Sequence, residues 1–139
     1  AAFLMWKRKL EKFMKAELIN MTDSEKKELE LAGININEAL ERFMGSEAIV
    51  EKFMKKFIGD TSFSQLEAAV EKGDGEEAFK AAHTFKGVCG NLSFDVLYGV
   101  LSRQVEFFRE GNFALGKGLM PDVKKAYNEV IEAIEKHFK

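Results

Sequence analysis

The sequence predicts an all-α protein, and three observations support this fold class. Only one proline occurs among the 139 residues, and Ala, Leu, Lys, Glu, Phe and Met recur along nearly the whole chain, a composition that favours helices. Apolar residues return at spacings of three and four in several segments. No segment shows the alternation of apolar and polar residues that a strand requires. We therefore expect an antiparallel four-helix bundle with additional short N-terminal helices.

Composition and charge exclude several classes of protein. A hydrophobic content of 46% and a charged content of 32% are typical of one globular domain. The net charge of −2 argues against a nucleic-acid-binding protein, and no apolar run approaches the roughly 20 residues of a membrane-spanning helix. The single cysteine, Cys89, cannot form an intrachain disulfide, so we expect a reducing, cytoplasmic compartment.

Residues 1–20 form a basic amphipathic extension to the predicted domain of residues 21–139, whose core spans about 46–138. The apolar residues of the extension share one helical face (Phe3, Trp6, Leu10, Phe13, Met14 and Leu18), and five cations make it basic (Lys7, Arg8, Lys9, Lys12 and Lys15). It could be a linker helix that packs or self-associates, a segment added for recombinant expression, or a helix lying on a membrane surface. Membrane contact is the least expected of these.

The first helices of the domain are short. The sequence predicts a helix over Asn37–Met44, with its first residue as the N-cap, and Gly45 ends it. Ser46 opens the next helix, whose apolar period continues to about Lys72. Residues 59–62 interrupt this segment, so two helices or one bent helix fit the periodicity equally well.

The next two helices are clearly delimited. Asp74 follows a glycine turn and is the expected N-cap of a helix that contains His83 and ends near Ser93. A further helix is predicted from about Asp95 to Glu110, and the sequence Gly-Asn ends it.

A loop containing Gly116 and Gly118 is expected before the last helix, and Pro121 suits the first turn of that helix. His137 lies near its end, where a cation interacts favourably with the C-terminal carbonyls. The apolar stripe of this last helix consists of Val123, Tyr127, Val130, Ile131, Ile134 and Phe138.

His83 is predicted to lie on the solvent side of its helix. At about 100° per residue, the residues within roughly 60° of it are Phe79, Lys80, Lys86, Gly87 and Gly90. The opposite, apolar face consists of Ala78, Ala81, Ala82, Phe85, Val88, Cys89 and Leu92. Because only one side of the helix is apolar, the imidazole should point into solvent, and Cys89 should be a small core residue and not a reactive thiol.

Two glycines beside the histidine are unusual, since each costs roughly 0.5–1 kcal/mol relative to alanine inside a helix. Gly87 removes a side chain from beside the imidazole, so a bulky partner can approach. Gly90 could do the same, or could instead allow close packing of helices. Lys86 places an ammonium where it could meet an anion carried by His83. This combination suggests a phosphate-accepting histidine.

The same residues resemble a known family signature. His83-Thr84-Phe85-Lys86-Gly87, followed by Cys89-Gly90-Asn91-Leu92, is similar to the His-x-x-Lys-Gly motif of the histidine-containing phosphotransfer (HPt) domains of bacterial two-component phosphorelays. The preceding run from Gly33 to Phe43 also resembles the start of such domains. The similarity covers roughly residues 33–138.

The resemblance implies a function. His83 would accept a phosphoryl group, on Nε2, from the aspartyl phosphate of a receiver domain and pass it to the aspartate of another receiver. Lys86 would hold the phosphoryl oxygens, and Gly87 would give steric access. The chain would thus be a phosphocarrier and not an autonomous kinase. Its partners would be the receiver domains of response regulators and hybrid histidine kinases, which would supply Mg²⁺, while this chain would bind no cofactor.

The resemblance also suggests roles for further residues. Gln104 has a spacing close to that of a glutamine that hydrogen-bonds the active imidazole in some HPt domains. A docking surface for the receiver would include Phe79, Lys80, Gly90 and Arg109. The matching domains have one long helix where this chain has residues 46–72, which favours one helix there.

Other chemistries lack their residues. Neither His83 nor His137 has a glutamate three residues before it, as a di-iron bundle would require, and Cys and His are too few for a zinc site. No phosphate-binding loop or dinucleotide fingerprint is present, so we do not expect the chain to bind ATP. The alternative function is a non-catalytic helical adaptor that binds receivers or helical partners, although an adaptor has no need of the histidine.

Overall fold

Eight helices follow one another from residue 21 to residue 138 in the computed structural model, which describes residues 2–9 and 21–138. An N-terminal helix, α1, covers 2–9, and all of its residues are exposed; the predicted amphipathic segment over 10–20 lies outside the described residues. The helices that follow are α2 (Asp23–Leu31), α3 (Ile36–Arg42), α4 (Glu47–Ile58), α5 (Ser62–Glu71), α6 (Gly75–Asn91), α7 (Asp95–Arg109), α8 (Phe113–Gly118) and α9 (Met120–His137).

The predicted fold class, an antiparallel four-helix bundle with short N-terminal helices, is confirmed. Helices α6, α7 and α9 form three of the four positions in the bundle, and the consecutive helices α4 and α5 together form the fourth. Helix α6 packs against α5 and α7, and α9 packs against α7 and α4, so these helices surround one core. Helices α2 and α3 pack against each other and against α9 and α4, respectively. No strand occurs in the ranges 2–9 and 21–138.

Aromatic side chains occupy the centre of the bundle. The ring of Phe57 lies 4.9 Å from that of Phe94 and 5.9 Å from that of Tyr127, and Phe63 stacks on Tyr127 at 4.3 Å. Phe85, which is fully buried, brings α6 into the same cluster. Burial, with a smaller effect of the Asp60 carboxylate, raises the pKa of the Tyr127 hydroxyl. This cluster fixes which face of α6 is turned inward.

The first short helix begins earlier than predicted. Asn35, and not Asn37, is the N-cap of α3, and its side chain accepts a hydrogen bond of 3.1 Å from the backbone N–H of Glu38. Ile36 is fully buried, and the N–H of Asn35 donates to the carbonyl of Ser93. These contacts with the rest of the fold decide between two asparagines that are equally good caps.

Residues 46–72 do not form one helix, so that prediction is wrong. Gly59 is the C-cap of α4, and the carboxylate of Asp60 accepts a 2.8 Å hydrogen bond from the N–H of Ser62. This local bond satisfies a backbone donor at the start of α5 and competes with continuation of the helix. Phe57 and Phe63, on either side of the break, both reach the aromatic cluster.

Residues 113–118 form helix α8 and not the predicted loop. The side chain of Asn112 accepts from the N–H of Leu115 and caps the helix. Gly116 is buried so tightly that a Cβ there would collide with the ring of Phe108. The glycine is therefore needed for close packing of α8 on α7, whereas Pro121 lies in the first turn of α9 as predicted.

His137 lies in the last turn of α9, as predicted, and it also contacts another helix. Its Nε2 lies 2.9 Å from Oε2 of Glu28 on α2. Lys136 Nζ contacts the same oxygen at 2.9 Å. The hydrogen bond and charge of Lys136, aided by His137, hold the pKa of Glu28 below its ordinary value. These contacts join α2 to the end of α9.

Candidate functional site

Helix α6 presents His83 to solvent, as its pattern predicts. Asp74 caps the helix by accepting a 3.0 Å hydrogen bond from the N–H of Glu77. The opposite face is buried at Ala78, Ala82, Phe85 and Cys89, and His83 itself is exposed. Burial of that face therefore fixes the rotation of α6 that turns the imidazole outward.

His83 stands at the edge of an open cleft of about 430 Å³ between α3, α6 and α7. Within the described part of the chain the imidazole makes no hydrogen bond, and its one ring contact is with Phe79, at 6.0 Å between centroids. Both ring nitrogens are thus available to a partner. The cleft is lined by Glu38, Arg42, His83, Lys86, Gly87, Gly90, Asn91, Asp95 and Tyr98.

Lys86 shares the cleft with His83. Its side chain is half-buried, and its Nζ lies 5.7 Å from the ring centroid of Tyr98 on α7. This cation–π contact directs the ammonium along the cleft wall without neutralising it. No carboxylate pairs with Lys86 among the residues that the structure describes, so its charge can act on an anion at His83.

The two glycines beside His83 have different surroundings. A Cβ at Gly87 would meet nothing within 4 Å, whereas a Cβ at Gly90 would lie 3.1 Å from Cε2 of Tyr98. Gly90 therefore allows α6 and α7 to pack closely, which was one of its two predicted roles. Packing does not require a glycine at position 87. The missing side chain leaves open space beside the imidazole of His83.

The predicted docking residues separate into two groups. The guanidinium of Arg109 lies 5.5 Å from the ring of Phe79, and this ring in turn contacts His83. Arg109, Phe79 and His83 thus form a continuous row. Lys80 is apart from the cleft: it pairs with Glu76 at 3.6 Å and lines a different cavity, on the side of α5.

Gln104 does not contact His83, so its predicted bond to the imidazole is absent from this structure. The side chain is fully buried, and its Nε2 donates to the carbonyl of Gly116 at 3.0 Å and to Sδ of Met120 at 3.1 Å. The residue does face inward, as predicted, but it faces α8 and α9. It positions these helices and not the histidine.

The sequence reasoning missed the wall of the cleft that α3 and the start of α7 provide. Glu38 and Arg42 reach it from α3, and Asp95 and Tyr98 from α7. Asn35 links the two helices, since its Nδ2 donates to Oδ2 of Asp95 at 3.0 Å. The similarity of residues 33–43 to the start of an HPt domain was the available signal, but it supported only the family resemblance and not a place for these residues in the site.

Burial raises the pKa of the Cys89 thiol, which agrees with its prediction as a core residue. Within residues 2–9 and 21–138, no three or more His, Cys, Asp or Glu side chains are grouped so that they could hold a metal ion. In the same ranges, no helix has both the length and the apolar character needed to cross a bilayer.

Comparison with known proteins assigns this helical domain to a family. A family model of the Hpt domain matches residues 59–135, which is more than half of the chain and includes α5 to α8 and most of α9. The chain belongs to the Hpt domain family. Neither a curated protein nor a solved structure matches it.

Proposed function

We propose that this protein is a histidine phosphotransfer protein that carries a phosphoryl group on His83 between receiver domains. The observation that carries the proposal is the exposed imidazole on α6 of an Hpt bundle, which makes no hydrogen bond with the described residues. Beside it lie the open space at Gly87 and the ammonium of Lys86, which pairs with no described carboxylate. The expected partners are receiver domains of response regulators and hybrid kinases in the cytoplasm. An adaptor that does not transfer phosphate would have no need for this combination of an exposed histidine, open space beside it and a nearby cation.

The transfer needs little chemistry from this chain. The lone pair on Nε2 of His83 attacks the phosphorus of an aspartyl phosphate and forms the N–P bond, while the P–O bond to the aspartate breaks. The bonding electrons leave with the aspartate carboxylate, and Nδ1 keeps its proton. The receiver is expected to supply Mg²⁺. The second transfer, to another receiver, is the reverse of this step.

Charge and access explain the roles of the two neighbours of His83. A phosphoryl group brings about 1.5 to 2 negative charges at pH 7, and phosphoryl transfer depends on in-line approach and charge neutralisation. Lys86 offers a cation on the cleft wall, and the absence of a side chain at Gly87 leaves room for the receiver's acidic site. Lys86 thus acts on the phosphoryl group that His83 receives, and Gly87 on the approach of the receiver that delivers it.

The test compares His83→Gln with His137→Gln, since these are the two histidines of the chain. Each protein is mixed with a panel of receiver domains phosphorylated at aspartate, and the label transferred is measured. We expect the parent and His137→Gln to acquire an acid-labile, alkali-stable label, and His83→Gln to acquire none. Circular dichroism checks that all three proteins are folded.

Two results would contradict the proposal. A label that persists in His83→Gln would place the phosphoryl group on another residue. No label on the folded parent from any receiver of the panel would favour the adaptor function, and binding of the unphosphorylated receivers would then be measured directly.

A further inference from the structure

A second cation faces the cleft beside His83, and it comes from outside the matched part of the chain. Arg42 lies on α3, whereas the family match begins at residue 59. It lines the same cavity of about 430 Å³ as His83 and Lys86. Arg42 and Lys86 therefore provide positive charge from two different helices around one histidine.

The position of Arg42 is fixed by Glu38. Oε1 of this carboxylate accepts from Nε and Nη2 of Arg42 at 3.2 and 3.1 Å, and also from Oγ of Ser93 at 3.1 Å. Its Oε2 accepts from Asn35 at 3.3 Å. Ser93 is 1% exposed and lies in the turn between α6 and α7. Arg42 is thus held through Glu38 to the turn that follows the histidine helix.

The guanidinium of Arg42 has N–H donors that the bonds to Glu38 do not use. Of its five N–H donors, the bonds to Glu38 use one on Nε and one on Nη2. The remaining donors belong to Nη1 and Nη2, and 47% of the side chain is exposed. A planar guanidinium in this state can bind phosphoryl oxygens while it keeps its carboxylate partner.

The acidic side chains of the cleft equal its cations in number, but other hydrogen-bond donors share them. Glu38 is shared among Arg42, Ser93 and Asn35, and Asp95 accepts a hydrogen bond from Asn35. Two cations and two carboxylates therefore line the cleft before phosphorylation. A phosphoryl group adds negative charge at His83, where the donors of Arg42 and Lys86 remain available.

Building on the proposed phosphotransfer at His83, we propose that Arg42 is a second cation that binds the phosphoryl group on this histidine, with Glu38 as its positioning residue. Arg42 and Lys86 bind the phosphoryl oxygens from two different helices that line the cleft. Helix α3 is then part of the phosphoryl-binding site. An ordinary exposed i,i+4 ion pair would contribute only to stability.

The test measures the pKa of the phosphoryl group itself. The parent and the variants Arg42→Gln, Arg42→Lys, Lys86→Gln and Arg103→Gln are phosphorylated with phosphoramidate, a small donor that needs no receiver. The ³¹P chemical shift of the phosphohistidine is then followed against pH. Arg103→Gln is the matched control, because Arg103 is exposed on α7 and does not line the cleft.

A nearby cation favours the dianion and lowers the phosphoryl pKa. We expect Arg42→Gln and Lys86→Gln each to raise this pKa by about half a unit, the size expected for one charge a few ångströms away at a solvated site. Arg42→Lys should keep most of the effect, and Arg103→Gln should match the parent.

Three results decide the question. If Lys86→Gln raises the phosphoryl pKa while folded Arg42→Gln matches Arg103→Gln, Arg42 does not bind the phosphoryl group. If Arg42→Gln does not fold, Arg42→Met, which keeps the aliphatic stem without the charge, takes its place: a phosphoryl pKa raised as in Lys86→Gln supports the proposal, and a pKa equal to that of Arg103→Gln overturns it. If the folded parent forms no phosphohistidine at His83 with phosphoramidate or a receiver, the proposed function fails, and this inference fails with it.

Discussion

At the scale of single residues, helical geometry was sufficient to predict that His83 is exposed and that Cys89 is buried. It was also sufficient to notice Gly87 and Gly90, but it could not separate their roles. Their difference depends on Tyr98, which packs against Gly90 from α7 and leaves Gly87 open. A residue on a neighbouring helix is not encoded in the period of α6, so only the structure distinguishes a packing glycine from a glycine that gives access.

This difference leads to a prediction for Gly87→Gln. Nothing in the structure opposes a side chain there, and glutamine favours a helix, so the free energy of unfolding should rise by about 0.5 kcal/mol. Transfer from a phosphorylated receiver should fall at least tenfold, because the new side chain occupies the approach to His83, while phosphorylation by phosphoramidate should be nearly unchanged.

Gly99→Gln is the control for this experiment. Gly99 lies inside α7, a Cβ there also meets nothing within 4 Å, and it does not line the cleft. The same gain in stability is expected without loss of transfer. If Gly87→Gln transfers as fast as Gly99→Gln, Gly87 has no role in access.

At the scale of secondary-structure elements, long periodic helices were predicted well and short elements were not. The bounds of α6 and α7 follow from their apolar faces and from Asp74 and Gly111 at their ends. The break between α4 and α5 was visible as the sequence Gly-Asp-Thr-Ser, but the resemblance to a family with one helix there outweighed it. Helix α8 was missed because two glycines predict a loop, although Gly116 is required by its packing on Phe108.

The glycine at the break and a glycine in the next turn should respond oppositely to alanine. Gly59 does not have a positive φ, and the nearest atom to an added Cβ is the carbonyl oxygen of Lys56 at 3.7 Å. Gly59→Ala should therefore stabilise the protein by about 0.4–1 kcal/mol by restricting the unfolded chain. Urea denaturation measures the change.

Gly73 is the matched comparison, since it also has open space but a φ of +72°. Gly73→Ala should destabilise the protein by about 1–2 kcal/mol, the cost of the left-handed conformation for a residue with a Cβ. Equal effects of the two substitutions would show that backbone conformation does not decide the outcome.

At the scale of the whole molecule, the sequence predicted the bundle but not which helix faces meet. Gln104 was correctly expected to face inward, yet its partner is the carbonyl of Gly116 and not His83. Arg42 was not recognised as part of the cleft, because it precedes His83 by 41 residues in the chain and is brought to it only by the packing of α3. His137 was given a local role, and its contact with Glu28 was not predicted.

The contacts of Glu28 predict a dependence of stability on pH. Lys136 and His137 hold the pKa of Glu28 below its ordinary value. A carboxylate with a lowered pKa in the folded state contributes stability that is fully present above the unfolded pKa of about 4.3. This contribution is lost as the pH falls through the lower, folded pKa.

Thermal melts of the parent and Glu28→Gln should therefore differ at pH 7 and converge as the pH falls below about 4.3 and through the lower, folded pKa. Glu132→Gln, at an exposed glutamate on α9, controls for the loss of one negative charge. A difference between the parent and Glu28→Gln that is the same at every pH would exclude the ionised carboxylate as its source.

The contact between Glu28 and Lys136 also limits how early the fold can be completed while the chain is being synthesised. The two residues are separated by 108 positions, so α2 cannot make this contact until nearly all of α9 has left the ribosome. Helices α6 and α7, joined by a turn of three residues, can pair well before that. The histidine helix is therefore paired with its neighbour early, and the docking of α2 onto α9 is among the last steps of assembly.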